Sequence, residues 1–284
     1  MGKRKIDTQA VGLDVGLAFT RWLTGAENLH YGYWEGLEPA AANLRAAQEA
    51  YTARLFELLP PAPARLLDIG GGAGETAAKL LGLGYTVEIV VPSAFLAERC
   101  RENAPDAVVH ECRFEDITGC GPFDICLFSE SFQYVALDRG LARCAELLEP
   151  GGTVVLADCF RPEGFVLDKA VAKVGGGHRW EAFRAELARQ PFALVSEEEI
   201  TAAVAPSVEI EQGLYNVVGY GLARADAALA EGRPMAHRAL RGLLRLAMRP
   251  RARARLDQRL NRRTRTAEAF RAHNRYVMMR LERR

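Results

Sequence analysis

The sequence predicts an α/β fold in which a mostly parallel sheet carries helices on both faces. Three observations predict it. Between residues 65 and 158 short apolar runs alternate with stretches whose apolar residues recur at helical spacing, the pattern of successive β-α-β units. The first run, LLDI, passes directly through the consecutive glycines 70–72 into an alanine-rich amphipathic segment, which reads as strand, tight turn and helix. A chain of 284 residues with 49% hydrophobic and 26% charged side chains can bury a substantial core as one large domain or two smaller ones.

Taken in order, a mixed N-terminal helix runs to about Leu23 and Gly25 breaks it. The segment LHYGYWEG, Leu29 to Gly36, holds six ring or glycine residues in the seven positions from His30 and is placed on a loop. Pro39 to Leu59 has helical spacing and stops at Pro60, Pro61 and Pro63. Strands are predicted at Arg65–Ile69, Thr86–Val91, Ala107–Glu111, Phe123–Phe128 and Gly152–Asp158, with helices over Ser93–Asn103 and Asp138–Leu148. Beyond them, two helical pieces flank Gly175, Gly176 and Gly177, suggesting a hinged lid over a pocket. A sixth strand covers Phe192–Val195, and the Ser-x-x-Glu of SEEEI predicts a helix start there. From Pro206 to about Asn274 the chain reads as helical, ahead of a last strand at Arg275–Arg280.

The glycine turn carries the first functional information. Closely approaching backbone amides and the positive end of a helix suit a nucleoside-bearing ligand. Gly70, Gly72 and Gly74 form G-x-G-x-G, whereas a dinucleotide fold would need a glycine at Glu75 and a P-loop would need a Gly-Lys-Ser/Thr ending. LLDIGGGAG resembles the first motif of the class I S-adenosylmethionine-dependent methyltransferases. HYGYW is similar to the segment before the cofactor domain in gamma-tocopherol methyltransferase and in the cyclopropane fatty acid synthases.

The resemblance implies a Rossmann-like, seven-stranded, mostly parallel sheet with an antiparallel last strand, an N-terminal cap (1–63), a cofactor-binding core (64–160), and a lid, helical insertion and final strands (161–284). It implies S-adenosyl-L-methionine as cofactor and S-adenosylhomocysteine as product. Cofactor contacts are then expected from Asp68, Gly70, Gly71, Gly72 and Gly74. Val91 stands where most of these enzymes carry a ribose-binding acid, and Leu96 where this branch carries an amide, so backbone around Pro92 or Ser93 is expected to substitute. In ECRFEDI, Phe114 would lie against the purine and Glu115 would accept from its amine. In LFSESFQYV, Ser129 would touch the cofactor while Gln133 and Tyr134 face the acceptor. Cyclopropane synthases have glutamate and cysteine at the positions of Gln133 and Tyr31, so simple methyl transfer is favoured over cyclopropanation. Tyr31, Gln133, Tyr134 and His178 are the candidates for orienting the acceptor, with His178 or Tyr31 as a base. The aromatic loop is expected to cap the ligand, since rings attract a sulfonium cation by about 1–2 kcal/mol when desolvated.

Bulk features limit partners and place. From Gly232 to Arg284 there are 17 arginines against Asp257, Glu268 and Glu282, a balance of +14, while the rest of the chain carries −13. Such asymmetry suits either packing of the two parts or an anionic partner, a membrane surface or an acidic carrier protein. Base-stacking aromatics are absent from Arg238 to Arg265, which argues against nucleic acid. The six cysteines show neither CxxC pairs nor clustering with histidine at metal-ligand spacing, so reduced thiols and no metal are expected. With no long apolar run and no secretory pattern, a cytoplasmic protein is expected, at most peripheral to a membrane. The acceptor is expected to be small or medium-sized and partly apolar, methylated on oxygen, nitrogen or carbon. A lipid- or carrier-tethered acceptor recruited by the basic segment is the alternative. A non-catalytic binding protein on the same fold is a further alternative, motivated by Val91 and Leu96.

Overall fold

In a computed structural model, residues 8–166 and 174–284 are described. Helix α1 (Thr8–Thr24) is followed by the aromatic loop, a 3₁₀ turn and α2 (Leu44–Phe56). The core then alternates β1 (Arg65–Ile69), α3 (Glu75–Gly82), β2 (Thr86–Val90), α4 (Ala94–Asn103), β3 (Val108–His110), β4 (Phe123–Ser129), α5 (Leu137–Leu147) and β5 (Leu148–Phe160). After α6 (Trp180–Leu187) and β6 (Phe192–Glu199), five helices intervene before the last strand. They are α7 (Thr201–Val204), α8 (Pro206–Gly232), α9 (Pro234–Ala247), α10 (Pro250–Asn261) and α11 (Ala267–His273), leading into β7 (Arg275–Arg283).

The seven strands form one sheet in the order β3-β2-β1-β4-β5-β7-β6. Strands β1 to β5 pair in parallel, and β7 inserts antiparallel between β5 and β6. Side chains on successive strand residues point to opposite faces, so the central strands divide their apolar residues between two cores. Leu66, Ile89, Ile125, Val155 and Met278 face one core with Tyr51, Leu80 and Phe270; Leu67, Val90, Phe128, Val154 and Met279 face the other with Leu141 and Phe183. Four of the cysteines, Cys100, Cys126, Cys144 and Cys159, are buried free thiols.

Two expectations are corrected. The run SEEEI does not start a helix: Ser196 to Glu199 extend β6, pairing with Arg280 to Val277. Long-range pairing overrides the local capping pattern, and the charges suit an edge strand. Glu197 lies against Arg184 and Arg275, Glu198 against Arg54. The glycine run is not a free hinge. A Cβ on Gly177 would fall 1.6 Å from the Cys159 carbonyl oxygen, so this segment lies tightly along the end of β5. The second expected lid piece is α6, which buries Trp180, Phe183 and Leu187 against the sheet. Part of the first piece lies outside the described residues.

Candidate active site

A cleft of about 250 Å³ opens where the carboxyl ends of β1, β2 and β4 meet the loop after β3. In parallel sheets this is where chain connections leave room for a ligand. Its floor is Asp68 to Ala73, one wall runs from Val90 to Ser93, and Phe114, Glu115, Ser129, Glu130 and Tyr134 supply much of the rest. Glu27, Asn28, Leu29 and His30 close it from the N-terminal side.

The floor is built for a ligand that brings hydrogen-bond donors and positive charge. Asp68 is buried, and its Oδ2 has no hydrogen-bond partner. Burial without a partner pushes its carboxyl up to about 7, so a cationic ligand would favour the ionised form. Ser129 Oγ is likewise buried and unpartnered. Gly72 has φ of 56° and open space beyond its Cα, the nearest atom to an added Cβ being Leu29 Cδ1 at 3.7 Å. Gly74 plays another part. It lies outside the cleft lining, and a Cβ there would press on Cys100 Cα at 2.9 Å, so its smallness serves the packing of α3 on α4.

On the side walls, Phe114 is buried edge-on to Phe128, with ring centroids 5.7 Å apart. Burial raises the Glu115 carboxyl, but bonds from its own amide and that of Ala136, together with the Arg113 guanidinium, hold it below the usual range. It is ionised and reaches the cleft as an acceptor. Val91, Pro92, Ser93 and Leu96 line the wall where ribose recognition was expected. Ser93 caps α4, its Oγ accepting from the Leu96 amide at 3.3 Å. As a hydroxyl it retains a proton to donate.

The expected acceptor residues separate. Tyr134 lines the cleft and is 61% exposed. Gln133 does not line it: its amide donates to Asp158 Oδ1 at 3.0 Å, and its backbone N–H to Oδ2 at 2.9 Å. His178 is also outside, with Nε2 within 3.2 Å of the Phe132 and 3.0 Å of the Val135 carbonyl oxygens and its ring edge-on to Phe132. Those contacts give it a structural post, bracing the turn after β4, rather than a basic nitrogen aimed at the cleft. Tyr31 turns its ring towards Phe270 and Tyr276, and burial holds its hydroxyl well above the ordinary tyrosine range, which disfavours the tyrosinate a base would require. Trp34 too points away, packing with Leu44 and Ala47 while its Nε1 donates to Ser207 Oγ at 2.8 Å. The cap therefore closes the cleft with Glu27 to His30 and not with the rings that follow.

The residue that sequence reasoning missed is Glu130. It lines the cleft directly after β4 in a left-handed conformation, φ 58°, that few non-glycine residues adopt. Its Oε1 accepts from the Tyr31 amide at 2.8 Å and the Tyr276 hydroxyl at 2.9 Å, and Tyr276 is in turn 2.7 Å from the Tyr51 hydroxyl. Burial pushes its carboxyl up to about 8. The only sequence signal was an acid following the last strand residue, Ser129. A second grouping was also invisible in the spacing. Outside the cleft, Glu88, His110 and Cys120 bring ligand-type atoms within 4.8 Å of one another, with Glu88 already paired to His110 at 2.7 Å and Arg65 at 3.1 Å.

Residues 67–156 match the model of a methyltransferase domain family. The chain is 34% identical over 151 residues to the ubiquinone biosynthesis O-methyltransferase of Caulobacter sp. (strain K31), a match covering 45% of this chain and 58% of that one. It is 29% identical over 207 residues to the 27-O-demethylrifamycin SV methyltransferase of Amycolatopsis mediterranei (strain S699), covering 64% and 72%. The fold is similar to that of a cyclopropane synthase from Mycobacterium tuberculosis, with a TM-score of 0.71 at 16% identity over 99% of this chain and 100% of that one. Sequence similarity centred on the glycine turn and the strands around it thus aligns residues 67–156 with a methyltransferase domain family, within an architecture that the whole chain shares with the solved cyclopropane synthase.

Proposed function

We propose that the protein methylates a hydroxyl oxygen on a small or medium-sized, partly apolar acceptor, using S-adenosylmethionine, with Glu130 receiving the hydroxyl proton. The observation that carries this reading is the Glu130 carboxyl. Oε1 is held by Tyr31 and Tyr276, which leaves Oε2 as the oxygen free to turn to the cleft. Among the sequence relatives, the names of the two described above denote methyl transfer to oxygen, which favours this acceptor atom over nitrogen or carbon.

The cofactor fits the residues present. Asp68 Oδ2 and Ser129 Oγ are buried acceptors in want of donors, and Gly72 leaves space that any side chain would occupy. Asp68 would hold the ammonium end, Phe114 and Glu115 the purine, and Ser93 with the Pro92 backbone the ribose. When bound, the cofactor supplies an electrophilic methyl group on a sulfonium. The chain's part is orientation and proton removal. Holding acceptor and methyl in line accounts for about 7–11 kcal/mol of barrier in favourable cases. Tyr134, at the open edge, packs against the acceptor. A base contributes about 10²–10⁴-fold when its pKa lies near the working pH, which burial gives Glu130.

The test is transfer of isotopically labelled methyl groups to panels of phenols, alcohols, amines and carbon acids, repeated with Glu130→Gln. The expected result is transfer to hydroxyl compounds, with kcat about 10²–10⁴-fold lower in the variant and cofactor affinity within about threefold of the parent protein. Transfer confined to amines or carbon, or an unaltered kcat in Glu130→Gln, would overturn the reading.

A further inference from the structure

Helix α9, PMAHRALRGLLRLA, separates its side chains into two arcs. Successive residues turn by about 100°, so Met235, Leu240, Leu243, Leu244 and Leu246 fall on one half and His237, Arg238, Arg241 and Arg245 on the other. In a helix of a globular protein the apolar half packs inward. Here it is one edge of the polar half, His237 with Arg241, that turns towards α8. His237 Nε2 lies 2.9 Å from Asp226 Oδ1 of α8, and Arg241 3.7 Å from Oδ2 of the same carboxylate. The apolar half is left to solvent: Met235 is 82%, Leu243 64% and Leu246 87% exposed, and α9 has no buried residue.

Helix α10 continues the exposed surface, also without a buried residue, and crosses α8 so closely that a Cβ on Gly219 would fall 2.2 Å from the Leu260 carbonyl oxygen. Between residues 234 and 263, Asp257 is the single acid against ten arginines. Arg259, Arg262 and Arg241 are paired with carboxylates. Arg238, Arg245, Arg249, Arg251 and Arg255 are exposed and enter no ion pair among the described residues.

We propose that the α9–α10 face docks on an anionic phospholipid bilayer, α9 lying in the interfacial plane with its leucines among the acyl chains and the arginines around it on the phosphates. A leucine stripe bordered by unpaired arginines combines the two attractions that hold an interfacial helix, apolar insertion and charge. A second copy of the chain is disfavoured as occupant because it would bring two arginine-rich surfaces together. An acidic protein partner would satisfy the charge but would have to supply its own apolar groove for Met235, Leu243 and Leu246. The inference is independent of methyl transfer.

The experiment is flotation of the full chain with vesicles of phosphatidylcholine alone and of phosphatidylcholine mixed with phosphatidylglycerol. Binding is expected to the mixed vesicles, to weaken by about fivefold for each of Arg245→Ala and Arg249→Ala, and to vanish in Leu243→Glu/Leu246→Glu. Because those leucines are exposed, the double variant is expected to retain the parent's Tm and S-adenosylmethionine affinity, which keeps loss of binding distinct from unfolding. Equal binding to both vesicle types, or unaltered binding of the double variant, overturns the proposal. So does the absence of vesicle binding, whether the chain then proves monomeric or forms a dimer that Leu246→Glu dissolves.

Discussion

Gly72 and Asp68 show how single residues set the character of the cleft. At Gly72 two constraints coincide: φ of 56° disfavours a Cβ, and the space beyond is the cleft itself. Gly72→Val is therefore expected to abolish S-adenosylmethionine binding by calorimetry, and near-parental affinity would refute this placement of the cofactor. Gln133, which the resemblance would set facing the acceptor, instead braces Asp158 through its side-chain amide and its backbone N–H. That Asp68 and Gly70 to Gly72 share one turn was legible because they are local: strand, turn and helix occupy adjacent positions, whereas the packing role of Gly74 against Cys100 was not. Glu130 was not, since its partners Tyr31 and Tyr276 lie 99 and 146 residues away and give its carboxyl a setting no short window contains. His178 illustrates the opposite error, a residue type with the right chemistry whose nitrogen is committed to backbone carbonyls.

At the scale of elements, the segment returning to α6 is fastened by Arg161, a buried guanidinium that donates to the carbonyl oxygens of Val174, Gly175 and His273 and to the Asn274 side chain. Burial lowers its pKa, but the ring of acceptors keeps the charge useful. Arg161→Met would leave several of those acceptors unpaired, at a cost of about 1–3 kcal/mol for each that water does not reach. Urea unfolding is expected to report a loss of at least about 2 kcal/mol; an unchanged midpoint would show that the segment is held by other means. Strands β1 to β5 were readable in the sequence because each is an apolar run bounded by turns. The charged half of β6 was not: its extended form depends on pairing with β7 and on arginines from α2, α6 and β7. The helical content after Pro206 was readable from periodicity, but which half of α9 turns outward depends on Asp226 in a neighbouring helix.

For the whole molecule, burying three carboxyls around one end of the sheet links stability to pH. Asp68 and Asp158 are pushed up to about 7 and Glu130 to about 8, each chiefly by burial. Glu130 is faced by Tyr31 from the cap, Tyr276 from β7, Asp158 from β5 and Glu211 from α8. A folded-state pKa above the unfolded one means that the folded protein holds the extra proton, so the associated stability is full below the ordinary carboxylate range and is lost as pH rises through 7 to 8. His30 acts oppositely, because burial lowers it to about 4 and the unfolded chain takes up its proton below about 6.5. Above that point the carboxyls act without this opposition. Without cofactor, urea-measured stability is expected to fall between pH 6.5 and pH 8.5, and Glu130→Gln with Asp68→Asn to flatten the fall. A rise over that interval would contradict the environments assigned to these groups.

The closure on the N-terminal side has a kinetic consequence. Glu27, which lines the cleft, is held by Arg99 of α4 at 2.7 Å and through its amide by Glu75 of α3 at 2.8 Å. Anything leaving past that edge would part a short, nearly buried ion pair, which dissolved salt screens far less than a surface one. The dwell time of a ligand leaving there is thus expected to follow the contacts of the Glu27 carboxylate with Arg99 and Arg21, and to depend little on ionic strength because that carboxylate is nearly buried.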